Sequence, residues 1–155
     1  MKRNRRAFTL IELLVVVLII GILAAVAVPQ YRKAVRRTHY AQLQTLTKSI
    51  YDAELVYHLA NGTYTVNFAE LDIEIPISKV DSNANRFFKE NKVCSLPGDY
   101  VACQDFDVNM AYRMDYTGER ACVAYNADTV SHQICQAETK RSGPSEGFSS
   151  TYFYP

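Results

Sequence analysis

One carboxylate, Glu12, stands four residues into an otherwise uninterrupted apolar run from Phe8 to Val28. A charge in such a run calls for a counter-charge, because an ionised carboxylate within lipid costs on the order of 2.5–3.5 kcal/mol even on lenient insertion scales. The nearby cations are Lys2, Arg3, Arg5 and Arg6, in a leader that ends at the small residue Ala7. Cleavage between Ala7 and Phe8 would supply another cation, the free α-amine of Phe8. Such a cut would put a cation where it could offset the Glu12 carboxylate.

Cys94, Cys103, Cys122 and Cys135 make a second reactive set. None forms a C-x-x-C pair, and all lie beyond the apolar run, so an even count in an exported domain reads as two disulfides, with three connectivities open. Nearest neighbours are favoured. Cys94 and Cys103 would close a loop over Pro97-Gly98, and Cys122 and Cys135 would face each other across a hairpin turning at 125–129, where paired Cα atoms lie ~4.5–5.5 Å apart.

Catalysis has little support. His39, His58 and His132 are dispersed, with no metal-ligand spacing, and are expected at the surface or at an interface. There is no glycine-rich phosphate loop and no Gly-x-Ser-x-Gly elbow. The acid pairs Asp72/Glu74 and Asp105/Asp107 read as solvent-facing positions of extended segments. The 11 tyrosines lack a clustered basic groove and read as core and interface material rather than a stacking platform for nucleobases. The 155 residues carry 17 Lys and Arg against 16 Asp and Glu; without the leader's four cations the count is 13 against 16, a net −3 that gives no general attraction to nucleic acid.

The elements that position these groups follow from periodicity. The 21 residues Phe8–Val28 make a helix of roughly 31 Å, matching the ~30 Å hydrocarbon core of a bilayer. Pro29 lacks an amide donor and clashes with the carbonyl four residues back, so a kink or local melting is expected between Gly21 and Pro29. Beyond it, Leu43, Leu46, Ile50, Ala53 and Tyr57 recur at alternating spacings of three and four, an amphipathic continuation that stops at Asn61-Gly62. Residues 63–77 read as a loop broken by Pro76, and 81–92 as a short helix. Residues 106–114, 120–126 and 130–135 read as three strands, separated by turns at 115–118 and 127–128, and 141–155 as a loop tail with a final edge strand. The fold class is α+β: a long N-terminal helix, half membrane-spanning and half amphipathic, on a small antiparallel sheet. Arg32, Lys33, Arg36 and Arg37 sit just past the span and almost tie the positive-inside count; they read as a solvated helix face near lipid phosphates, with contact to acidic surfaces of neighbouring subunits as the sharper alternative. The cysteines put the globular part outside and Met1 inside.

The order of these features, a basic leader, a small residue, Phe8-Thr9-Leu10-Ile11-Glu12 and then an apolar helix, is the reverse of a secretory signal peptide. It resembles the type III signal of the type IV pilin and pseudopilin superfamily. Ala7 stands where that family usually has Gly, while Gly21, Pro29 and Tyr31 match its glycine, proline and tyrosine positions. The resemblance implies a leader at 1–7 removed by a prepilin peptidase, N-methylation at Phe8, a membrane and fibre-core helix at 8–28, an amphipathic half at 29–60 and a head at 61–155. It implies a structural subunit rather than an enzyme, with no cofactor, metal or small-molecule substrate. Such a subunit is held in the bacterial inner membrane, meets assembly-platform proteins and self-associates into a filament, with Glu12 paired to a neighbour's Phe8 amine. Two alternatives are a pseudopilin of a type II secretion system and a DNA-binding competence pilin; nucleic acid binding is left open.

Overall fold

The computed structural model describes residues 8–74, 79–80, 85–126, 128–145 and 150–155. The described residues divide between Val35 and Arg36 into two units. Helix α1, Leu10–Asn61, contributes to both.

In the first unit every residue from Phe8 to Arg32 is exposed, among them Phe8 at 81% and Leu10 at 88%. This stretch makes α1 long and apolar enough to cross a membrane. Helical structure runs through Gly21 and Pro29 without interruption, because a single proline deletes one rung of the hydrogen-bond ladder and leaves its neighbours in place.

In the second unit α1 buries Tyr40, Leu43, Thr47, Ile50 and Glu54. Their three-four spacing is the helical stripe, turned slightly from the expected one: Leu46, Ala53 and Tyr57 sit half-buried on its flank. Two of the five central positions are polar, which hid the true centre of the stripe from a purely apolar count. The helix ends where Gly62 takes a φ of +75° and donates its amide to the His58 carbonyl at 2.8 Å, a left-handed stop that favours glycine.

The sheet has seven antiparallel strands in chain order: β1 Lys79–Val80, β2 Arg86–Lys89, β3 Lys92–Ser95, β4 Tyr100–Asp105, β5 Met110–Asp115, β6 Arg120–Ala124 and β7 Thr151–Phe153. A second helix, α2, Thr129–Thr139, lies between β6 and β7 in the chain. Residues facing each other across strands share a side of the sheet, so the register Phe87, Cys94, Cys103, Tyr112, Cys122, Tyr152 is a single row from β2 to β7. Tyr112 of that row meets Tyr40 of α1 edge to face at 5.9 Å, and Phe87 meets Phe68 of the short 3-10 turn Phe68–Glu70 after α1 at 4.9 Å.

Several expectations change. Residues 86–89 and 92–95 are strands of a hairpin turning at Glu90-Asn91, not part of a helix; residues 81–84, and Pro76 with its expected break, lie outside the described residues. Residues 106–109 form the turn before β5 instead of its first half. Residues 130–135 belong to α2 and not to a third strand, because Asp128 caps the helix by accepting the Val130 amide at 3.2 Å while Ile134 and Cys135 face inward. The turn at 115–118 forms as expected: Asp115 Oδ1 accepts from the Thr117 and Glu119 amides at 3.0 and 2.9 Å, and Gly118 takes a φ of +97°.

Candidate assembly site

Glu12 sits in the first turn of α1. The Thr9 amide and hydroxyl both donate to its Oε2, at 2.8 and 2.7 Å, and the Glu12 amide donates back to the Thr9 hydroxyl at 3.3 Å. This is a capping box. The Thr-x-x-Glu spacing that makes it was present in the sequence and was read only as charge chemistry. The box fixes one carboxylate oxygen at the helix entrance, among exposed apolar side chains, and no ion pair to Glu12 occurs among the described residues. Ala7 and the basic leader lie outside the described residues; Phe8 is described and exposed. A Cβ added at Gly21 would meet no atom of the described residues within 4 Å beyond the adjoining helix backbone.

Two disulfides and an ion pair fasten parts of the head together. Cys94 is bonded to Cys103 across β3 and β4, with Cα atoms 4.0 Å apart, and Cys122 to Cys135, with Cα atoms 5.4 Å apart. The second bond joins β6 to α2, where a strand-to-strand bridge was expected. Arg36 donates to Asp128, so one of the four cations read as a solvated face instead ties α1 to the α2 cap. Burial works against an ionised Asp128, but the bonds from Arg36 and Ser131 outweigh it and hold the carboxyl below its ordinary value.

Asp105 corrects a further expectation. Far from facing solvent, it is fully buried, with the His39 Nδ1 at 2.8 Å and the Lys92 ammonium at 3.1 Å. Burial again opposes its ionised form, and the His39 and Lys92 hydrogen bonds prevail and lower its pKa. His39 is thus part of a structural hydrogen-bonded cluster, and His132 bonds the Tyr152 hydroxyl at 2.7 Å. No group of three or more metal-ligating side chains occurs among the described residues.

Chemically, the first unit offers one oriented carboxylate in an uncovered apolar surface, and the second offers a stapled and ion-paired head. The family profile described as the prokaryotic N-terminal methylation motif matches residues 2–28. The chain is 39% identical over 101 residues to the type IV wide pilus major component PilA4 of Thermus thermophilus, covering 62% of this chain and 75% of that one. It is 33% identical over 93 residues to the type IV major pilin protein PilE1 of Neisseria gonorrhoeae, covering 60% of this chain and 50% of that one. It is 42% identical over 62 residues to the type IV major pilin protein PilA of Myxococcus xanthus, covering 40% and 28%. The chain thus spans half or less of the length of the PilE1 and PilA relatives. No solved structure matches it. With a shared N-terminal motif and a 39% identity that extends over three quarters of PilA4, the chain belongs to the type IV pilin family.

Proposed function

We propose that this chain is a structural, non-enzymatic subunit of a type IV pilus. The observation that carries the reading is the exposed apolar surface from Phe8 to Val28 with Glu12 as its single charge. A prepilin peptidase cuts between Ala7 and Phe8 and the new Phe8 amine is methylated. The subunit then waits in the inner membrane, anchored by 8–28, with the disulfide-stapled head outside and an assembly platform nearby. On assembly, Glu12 of the incoming subunit pairs with the Phe8 amine of a subunit already in the fibre, neutralising two charges that an apolar core would penalise. The pair sets axial register, the apolar helices bundle, and Gly21–Pro29 supplies the flexibility that bundling needs. The names of the relatives, all pilin or pilus components, support this reading.

The test is the intact mass and N-terminus of the protein in a fraction sheared from its native cells, compared with membranes. Methylated Phe8 and four oxidised cysteines in the sheared fraction are expected. Processed protein confined to membranes would favour the pseudopilin reading, and an uncut N-terminus in assembled fibres would overturn the proposal.

A further inference from the structure

Glu54 lies on the buried stripe of α1, fully shielded from solvent. None of the ion pairs among the described residues includes it. Its Oε2 accepts the Thr65 amide at 3.2 Å, while its Oε1 has no hydrogen-bond partner, and the buried hydroxyl of Tyr116, just after β5, has none either. An ionised carboxylate in that position would be a buried charge with no cation paired to it among the described residues.

Among the described residues no cation is paired with Glu54 or with its acidic neighbour Glu70. From the loop after α1, Glu70 accepts from the Thr65 hydroxyl at 2.6 Å and the Tyr57 hydroxyl at 2.8 Å, bonds that favour its ionised form and place a second negative group close by. Tyr64 stacks on Tyr116 at 3.6 Å with His58 on its other side at 4.3 Å, and Tyr51 lies beyond Tyr116 at 5.9 Å. Asp99, just before β4, adds a negative charge near Tyr116. The nearest cation on α1, Lys48, is bonded to Asp52 and sits over the Tyr51 ring. Burial pushes the Glu54 carboxyl up and the Glu70 charge adds to the shift, while the Thr65 amide and the neighbouring Tyr116 hydroxyl oppose it without cancelling it.

We infer that Glu54 is kept as the uncharged acid, donating from Oε1 to the Tyr116 hydroxyl while Oε2 takes the Thr65 amide. The acid proton lets Oε1 and the Tyr116 hydroxyl pair without leaving a charge in the buried site. It latches residues 63–71 and the β5–β6 turn onto α1, and its loss at higher pH releases them. The sign follows from linkage: the folded chain holds a proton that the unfolded chain gives up at the ordinary carboxyl value. The latch therefore weakens as pH rises from that value through the raised one, and is level above it.

The test is hydrogen exchange of the Thr65 amide in the full chain in detergent micelles, between about pH 5 and about pH 9, corrected for intrinsic exchange. In the wild type the opening constant should rise across part of the range by up to about tenfold per pH unit, the limit for a single proton. Glu54→Gln, whose amide can accept from Thr65 and donate to Tyr116 without titrating, should stay closed and flat. A second readout needs no variant to fold: the infrared carbonyl band of a protonated carboxylic acid, persisting near neutral pH in the wild type. The same pH slope in wild type and Glu54→Gln, or no acid band near neutral pH in the wild type, would overturn the inference.

Discussion

Arg36 on α1 donates to the same Asp128 carboxylate that caps α2, so one side chain both starts the second helix and binds it to the first. Asp128→Ala removes both functions and should lower stability by about 1–2 kcal/mol, the usual cost of a lost cap. Because its folded pKa lies below the ordinary value, the contribution is present above that value and is lost as pH falls through the folded one. Urea melts of wild type and Asp128→Ala should accordingly converge in strong acid.

Asp105 is the buried counter-charge for Lys92 and the partner of His39. Asp105→Asn keeps the shape and removes the charge, leaving Lys92 uncompensated, and should cost about 3 kcal/mol. The lowered pKa gives the same sign as for Asp128: wild-type stability falls as pH drops below about 4, and the variant lacks that acid limb. Chemical denaturation at neutral and acid pH measures both.

Cys122 and Cys135 close a 13-residue separation between β6 and α2. The double variant Cys122→Ser/Cys135→Ser should lose about 2–4 kcal/mol in the chain-entropy account. Thermal unfolding with and without reductant checks this: the wild type should fall towards the variant on reduction, by more than the variant itself moves.

Glu12→Ala should leave cleavage after Ala7 intact and cut the yield of sheared fibre by at least about tenfold, the effect of losing roughly 1.4 kcal/mol per joint. Immunoblots of processed protein in membranes and in the sheared fraction separate the two steps. Normal fibre yield would refute the charge-pair account.

What was legible in the sequence was what is written locally. The apolar span, the Asn61-Gly62 stop and the turn at 115–118 depend on neighbours a few residues apart, and each forms where expected. Residues 130–135 were misread because Val130, Ile134 and Cys135 fit a short strand as readily as one helical face; the deciding signal, an aspartate at the cap, is a single residue. The β2–β3 hairpin was missed because its turn, Glu90-Asn91, contains no glycine, although Glu90 adopts a φ of +54°. Asp105 could not be placed inside from its own neighbourhood, since His39 lies 66 residues away in the chain.

Strand order that repeats chain order has a kinetic corollary. As a polypeptide is delivered N-terminus first, each new strand from β2 to β6 meets an edge that has just been laid down, and closure requires only short loops. Cys94 meets Cys103 within the hairpin that contains both, so that bond can form before Cys122 emerges as a competitor. Only β7 must wait, until α2 has passed and Tyr152 can take its place opposite Cys122. The C-terminal strand is then the late clasp of an otherwise sequentially built head.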